Sequence, residues 1–168
     1  MPRAGGSAPG ALRVREATSA DAHWLADCAI ALARETEDKA LDPQTVRAGI
    51  DAGLADPAKA RYFIAMHDAR AGADTIGMPA GTLMLTREWS DWRNGDWWWI
   101  QSVYVVPEFR RHGAFTALYR HVETLAHATP GVIGLRLYVE RENAAAQATY
   151  AALGLRDAGY RILETALL

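Results

Sequence analysis

Residues 109–115 read FRRHGAF and form a junction between two patterned segments. The preceding run, IQSVYVVPE, is apolar enough for a strand, and the following run, TALYRHVETLAHA, has helical periodicity. The first amides of a helix have no acceptor inside the helix and lie at the positive end of its dipole, so this junction could bind a diphosphate. Gly113 would permit a tight entry into the helix, and Arg110 and Arg111 would add positive charge. An Arg-Arg pair at a helix start is nevertheless more often solvated than bound to a ligand.

A second candidate site lies in RLYVERENAAAQATYAALGL, where Tyr150 follows Asn143 by seven residues. Seven residues are nearly two helical turns, so the two side chains project from the same face of a helix. A helix N-cap asparagine and a packed tyrosine would explain the same residues without any chemistry. The pair therefore gains weight only in combination with the first junction.

Length and composition limit the class of protein. The chain has 168 residues, half of them apolar, and a formal net charge of -2. These values fit a single domain over residues 11–168 behind a flexible tail at residues 1–10, and they argue against nucleic acid as the main partner. Cys28 is the only cysteine, which excludes an intrachain disulfide and suits a reducing compartment. No apolar run is long enough to span a membrane and no spacing indicates a metal site, so we expect a cytoplasmic protein that binds neither membrane nor metal.

The elements that must position these residues follow one another in the order strand, helix, helix, three strands, helix, strand, helix and one or two final strands. Thr18 with Asp21 opens a first helix to about Arg34, and Asp42 with Pro43 opens the second. The other predicted elements are a first strand from residue 12, strands at 62–68, 81–88, about 97–106 and 134–140, helices to about 128 and over about 143–153, and a final strand or pair of strands beyond. In the long strand, a period of two places one set of residues on one face: Trp97, Trp99, Gln101, Val103 and Val105.

This arrangement resembles the GNAT superfamily of N-acetyltransferases. The central motif of that superfamily, Gln/Arg-x-x-Gly-x-Gly/Ala, follows the fourth strand and wraps the pyrophosphate of acetyl-CoA, and here it reads Arg110-Arg111-His112-Gly113-Ala114-Phe115. The resemblance covers nearly the whole chain from residue 12. It implies an α/β (α+β) fold with a mixed, mostly antiparallel central sheet of six to seven strands and about four helices.

The resemblance also implies an N-acetyltransferase with acetyl-CoA as co-substrate, in which an amine attacks directly in a ternary complex. Tyr150 would protonate the departing thiolate, and Asn143 would contact the pantetheine or pyrophosphate portion. Backbone groups of Val103 and Val105 would bond the pantetheine amides as in strand addition. The implied cofactor-binding residues are Val103, Val105, Arg110, Arg111, His112, Gly113, Ala114, Phe115, Asn143 and Tyr150.

Phe115 departs from the motif, whose last position is normally small. With Leu118, Val122 and Leu125 it falls at steps of three, four and three, which indicates one buried stripe of the helix. In the family pattern a large apolar residue precedes the small last residue of the motif, whereas here Ala114 precedes Phe115. The large side chain that fills the core would therefore come one position later, and the backbone amides proposed to bind the diphosphate would be retained.

A proton acceptor is needed as well, because an alkyl ammonium has a pKa of about 10.4 and must lose a proton before it attacks. Many superfamily members carry Glu or His on the fourth strand, where this chain has Trp99 and Gln101. The remaining carboxylates that could act are Glu35, Glu37, Glu88 and Asp91. We prefer Glu37 and Glu88 by a small margin.

The sequence does not identify the acceptor amine, which could belong to a small molecule or to a peptide. One or two tryptophans near the hairpin could line its pocket by stacking or by cation-π contact. Two other classes of protein compete with the enzyme. A non-catalytic acyl-CoA-binding sensor or interaction domain would fit the missing base on the fourth strand, whereas nucleic-acid binding through Arg110 and Arg111 is disfavoured by the charge balance. A homodimer through the C-terminal strands is open.

Overall fold

The computed structural model describes residues 11–68 and 77–167. Within these ranges the elements are β1 (Leu12–Glu16), α1 (Ala22–Glu37), α2 (Pro43–Ala55), β2 (Arg61–His67), β3 (Met78–Ser90), β4 (Gly95–Val105), α3 (Ala114–Ala128), β5 (Val132–Leu137) and α4 (Ala144–Ala152). The predicted tail at residues 1–10 lies outside the described residues. The chain forms two compact units, one ending at Leu137 and the other beginning at Tyr138. A single domain over residues 11–168 stays a prediction.

The sheet has the order β1-β2-β3-β4-β5. Neighbouring strands are antiparallel except β4 and β5, which run parallel, so the predicted mixed and mostly antiparallel sheet with four helices is confirmed. The predicted count of six to seven strands is wrong, because the described residues form a sheet of five and residues 155–167 form no strand. A strand needs a partner for its backbone groups. In this segment Tyr160 is 80% exposed, and Gly159 has a φ of 75°, which interrupts extended backbone.

Local signals set the ends of the first two helices. The Asp21 carboxylate accepts from the backbone N–H of Thr18 at 2.8 Å, and the Asp42 carboxylate accepts from the N–H of Thr45 at 2.8 Å. The first helix runs past the predicted end at Arg34 to Glu37, where Asp38 takes a left-handed φ of 51°. Glu35 and Glu37 therefore belong to the last turn of α1 rather than to a loop.

Helices cover both faces of the sheet in the first unit. On one face, α1 and α2 pack on Tyr62, Ile64 and Met66 of β2. On the other, α3 buries Leu118 and Val122, and its His121 ring lies 5.4 Å from the Phe63 ring. No helix within the described ranges is long and apolar enough to cross a membrane.

A bulge in β4 changes which side chains share a face. Met84 of β3 pairs with Ser102, but the next residue, Leu85, pairs with Ile100, so Gln101 is an extra residue in β4. The prediction that Trp97, Trp99, Gln101, Val103 and Val105 lie on one face is wrong, because the extra residue reverses the alternation. Trp97, Trp99, Ser102 and Tyr104 lie on the face of α1 and α2, whereas Trp98, Ile100, Val103 and Val105 lie on the face of α3.

Candidate functional site

The junction between β4 and α3 has the backbone geometry of an anion site. A 3₁₀ turn at Pro107–Phe109 follows β4, and Gly113 is the N-cap of α3 with a φ of 85°. The first bond that closes α3 runs from the N–H of Ala117 to the carbonyl of Gly113 at 2.9 Å. The amides of the first helical turn therefore have no acceptor inside the helix, and they lie at its positive end.

The loop that leads into α3 is tight and leaves room at its centre. A Cβ added to Gly113 would meet only the Leu12 Cδ1, at 3.9 Å. Arg111 has a left-handed φ of 65°, and its side chain and that of His112 are exposed. A non-glycine residue is uncommon in this region, so the loop imposes its conformation on Arg111. The loop therefore has open space at the glycine and two exposed basic side chains beside it.

Arg110 makes contacts that the sequence did not predict. Its Nη2 donates to Glu35 Oε2 at 2.5 Å, and its Nε donates to the carbonyl of Val105 at 3.0 Å. The Tyr104 hydroxyl donates to Glu35 Oε1 at 2.9 Å, so both carboxylate oxygens accept. Tyr104 was missed because nothing in its spacing distinguishes it from the apolar residues of β4, and only the bulge turns it towards α1.

These contacts affect protonation in a consistent way. The hydrogen bond from Arg110, followed by that from Tyr104, lowers the pKa of Glu35 below its ordinary value. Burial and the bond to Glu35 raise the pKa of Tyr104. Glu35 is therefore held as a carboxylate between two donors.

The C-terminal half of β4 has an open edge. Pairing with β5 ends at Ile100 and Leu137. The N–H of Val106 donates to the carbonyl of Ala80 in β3 at 2.9 Å, so alternation points the backbone groups of Val103 and Val105 towards the opposite edge. That edge has no strand partner among residues 11–68 and 77–167. The geometry is the one that strand addition by an extended amide chain requires.

A polar and aromatic cluster lies on the same sheet face as α1 and α2. Glu88 Oε1 accepts from Arg136 Nη1 at 2.6 Å, and Glu88 Oε2 accepts from Trp99 Nε1 at 2.5 Å. Gln101 Nε2 donates to the Thr86 hydroxyl at 3.0 Å. Glu88 thus lies directly beside Trp99 of β4. Glu37 is exposed at the end of α1 and pairs with Lys39.

The tryptophans divide into packed and exposed rings. Trp98 is buried on the face of α3, while Trp89 and Trp92 at the hairpin are exposed. Trp97 is half-buried, with the Arg136 Cζ 4.2 Å from its ring centre. A Cβ on Gly134 would come within 2.4 Å of the same ring, so the missing side chain at that position gives Trp97 its space.

Phe115 is half-buried, and its ring centre lies 6.2 Å from that of Tyr119. Ala114, the preceding residue, is buried with Leu118 and Val122. The buried stripe of α3 therefore begins with Ala114 and not, as predicted, with Phe115, whose side chain lies at the margin of the core. Cys28 is buried, and burial raises its pKa to about 12, so this thiol is a packing residue.

The second unit contains Asn143 and Tyr150. Asn143 is the N-cap of α4, and its Oδ1 accepts from the N–H of Ala146 at 3.0 Å. Tyr150 lies within α4, and burial raises the pKa of its hydroxyl. The roles predicted for both residues stay predictions. Over the described ranges, no group of three or more His, Cys, Asp or Glu side chains could hold a metal ion.

Known proteins match this chain over most of its length. The model of the acetyltransferase (GNAT) family matches residues 22–155. A solved structure described as a possible acetyltransferase from Clostridium difficile 630 is 36% identical, with a TM-score of 0.82 over 94% of this chain and 98% of that chain. No match to a curated protein was found.

Two more distant structures share the fold. The aminoglycoside enzyme AAC(6')-Iy, in complex with the bisubstrate analog CoA-S-monomethyl-acetylneamine, is 17% identical, with a TM-score of 0.71 over 94% of this chain and 99% of that chain. The ribosomal-protein-alanine N-acetyltransferase from Brucella melitensis biovar Abortus 2308 is 15% identical, with a TM-score of 0.70 over 92% and 99%. At these identities the similarity concerns the fold alone.

Proposed function

Because the chain belongs to the acetyltransferase (GNAT) family, we propose that it transfers the acetyl group of acetyl-CoA to an amine of a small molecule or peptide. The observation that carries the proposal is the junction of β4 and α3, where first-turn amides, Gly113 and an open strand edge occur together. Acetyl-CoA would supply an activated thioester. The amine would attack it directly within a ternary complex.

Different residues of this chain would bind the different parts of acetyl-CoA. The diphosphate would lie against the amides of Gly113 and Ala114, with Arg111 and His112 beside it. The pantetheine arm would lie along the open edge of β4, bonded to the backbone of Val103 and to the N–H of Val105, whose carbonyl accepts from Arg110. Arg110, Phe115, Asn143 and Tyr150 complete the proposed set.

Proton transfer would involve one acid and one base. Tyr150 is the proposed acid, since burial favours its neutral form and keeps the proton on its hydroxyl. Glu88 and Glu37 are the proposed bases. Glu88 is the stronger candidate because it lies beside Trp99 on the sheet face next to the open edge.

Replacement of Glu88 by glutamine tests this base. We expect kcat to fall about 100-fold, a typical loss for general-base catalysis, while acetyl-CoA affinity stays unchanged. The matched variant is Glu37→Gln, which makes the same chemical change at the end of α1. Steady-state rates and separate acetyl-CoA binding measurements on both variants should show the loss of kcat in Glu88→Gln alone. A loss confined to Glu37→Gln would transfer the role to that residue, and two unchanged rates would leave a water-mediated route.

The decisive test of the function is a thiol-release assay with acetyl-CoA and a panel of amines. The panel should include amino acids, polyamines, aminoglycosides and peptides with free N-termini, because the acceptor is not fixed by the fold. Thiol release that depends on one class of amine would support the proposal. Saturable binding of acetyl-CoA without release in any class would contradict it. A cytoplasmic location stays a prediction.

A homodimer is also part of the proposal. Near the C-terminus of the second unit, Ile162, Leu163 and Leu167 are 63%, 91% and 91% exposed, which is unusual for neighbouring large apolar side chains. We expect the protein to have the mass of a dimer by light scattering, and Ile162→Asp with Leu163→Asp to give a monomer. Trp92→Asp, at an exposed hairpin site, should leave the mass unchanged. A wild-type monomer at high concentration would refute this arrangement.

A further inference from the structure

Arg110 is joined to two distant parts of the first unit by the contacts described above. Glu35 lies in the last turn of α1, Tyr104 near the end of β4, and Arg110 in the loop that leads to α3. We call these three residues the Glu35 network. The Arg110 Cζ also lies 5.7 Å from the centre of the Tyr104 ring, so the guanidinium is held on several sides.

The network acts on the open edge of β4 at a defined atom. Arg110 Nε donates to the carbonyl of Val105, one of the two residues whose backbone groups point to that edge. The other end of the same guanidinium is held by the Glu35 carboxylate. Any movement of Glu35 would therefore be transmitted to the last residue of β4.

Stability alone gives a weak reason for this arrangement. The Arg110 and Glu35 side chains are 44% and 41% exposed, and an ion pair in contact with solvent contributes little to folding. A direct ion pair between Arg110 and a diphosphate would require Arg110 to leave Glu35. The geometry instead assigns Arg110 to the strand and to α1.

We propose that Glu35, acting through Tyr104 and Arg110, is a positioning residue that sets the end of β4 for the pantetheine arm of the cofactor. Arg110 would then support cofactor binding through the strand and not as a diphosphate ligand. This inference rests on the proposed function. The two roles of Arg110 predict opposite changes in CoA affinity for Glu35→Ala. If Arg110 bound the diphosphate directly, loss of Glu35 would free Arg110 and CoA would bind more tightly. If Glu35 positions the end of β4 through Arg110, CoA would bind more weakly.

The test measures equilibrium binding of two probes by calorimetry. CoA carries both the diphosphate and the pantetheine arm, whereas adenosine 3′-phosphate 5′-diphosphate carries the diphosphate alone. We expect Glu35→Ala and Arg110→Ala to weaken CoA binding about tenfold, as slight misplacement of a binding group does, and to leave the fragment within about twofold. Asp51→Ala, which removes the exposed Arg47–Asp51 pair on α2, is the control and should change neither affinity.

Two conservative variants guard against general loss of structure. Glu35→Gln keeps an oxygen acceptor of the same reach and should weaken CoA binding less than Glu35→Ala does. Tyr104→Phe removes only the hydroxyl that bonds to Glu35 and should also reduce CoA affinity. The double variant Glu35→Ala with Arg110→Ala should bind CoA no more weakly than Arg110→Ala alone, because the two residues act as one unit.

Clear outcomes overturn the inference. Tighter or unchanged CoA binding in Glu35→Ala would overturn it, as would an equal loss for both probes in Arg110→Ala. Failure of the wild-type protein to bind CoA would instead refute the proposed function. In that event the Arg110 Nε–H signal in ¹⁵N NMR still reports on the network: slow exchange with solvent that becomes fast in Glu35→Ala supports the link to Val105, and unchanged exchange overturns it.

Discussion

Replacement of Gly113 by aspartate will sharply weaken acetyl-CoA binding and leave the chain folded. Gly113 has a φ of 85°, and a Cβ there has open space, so the cost to folding is about 1 kcal/mol of backbone strain. A carboxylate at the N-terminus of α3 would compete with the diphosphate for the same amides and repel it. We expect binding to weaken about 100-fold, since a lost charge-assisted hydrogen bond costs about 1.5–3 kcal/mol and 1.4 kcal/mol is a factor of ten.

Two variants separate charge from strain in this experiment. Gly113→Ala introduces the strain without the charge and should weaken binding by about tenfold or less. Gly131→Asp makes the same change at a glycine with a φ of 83° and no atom within 4 Å of an added Cβ, and it should bind acetyl-CoA like the wild type. Calorimetric titration and thermal unfolding measure both effects. If Gly113→Asp binds as tightly as the wild type, the junction is not the diphosphate site.

Replacement of Tyr150 by phenylalanine will lower kcat about 100-fold and leave the acetyl-CoA affinity within about twofold, because only the proton donor is removed. Burial raises the pKa of Tyr150 above the ordinary value of about 10. A group with a raised pKa stays protonated to higher pH, so in the wild type no loss of rate from tyrosine ionisation should occur below about pH 10. Steady-state rates between pH 6 and 10, with separate binding measurements, provide the check.

Tyr160→Phe is the control for the tyrosine experiment, because it removes the same hydroxyl group from an exposed tyrosine. It should retain the wild-type rate. Full activity in Tyr150→Phe would mean that another group protonates the thiolate. Binding of acetyl-CoA with no turnover in the wild type, and no effect of Tyr150→Phe on any activity, would favour a non-catalytic acyl-CoA-binding domain.

Much of the fold could be predicted because local signals agreed with one another. The capping residues Asp21 and Asp42, the left-handed Gly113 and the apolar stripe of α3 each place an element boundary by short-range chemistry. The final strands could not be predicted in the same way. Strand formation depends on a partner, and the apolar content of residues 155–167 does not reveal whether one is present.

The candidate site was predicted where backbone geometry forms it and missed where long-range contacts do. The start of α3 at Gly113 could be predicted because a glycine directly before an amphipathic run indicates a helix boundary. The partnership of Glu35 with Tyr104 and Arg110 joins residues 69 and 75 positions apart, and no periodicity encodes such a distance. Position in the sequence predicted that Arg110 lies beside a diphosphate, and it gave no sign of the bonds to the Glu35 carboxylate and the Val105 carbonyl.

The extra residue at Gln101 has a consequence for transferring residue roles between relatives. A relative with regular pairing at this point would have one residue fewer between its motif and its hairpin. Alignment by count from Pro107 would then match side chains that point to opposite faces of the sheet. Equivalent bases should therefore be sought by the direction of the side chain on the strand. Deletion of Gln101 would remove the bulge and restore regular alternation, leaving Trp99 opposite Thr86 on the face of α1 and α2.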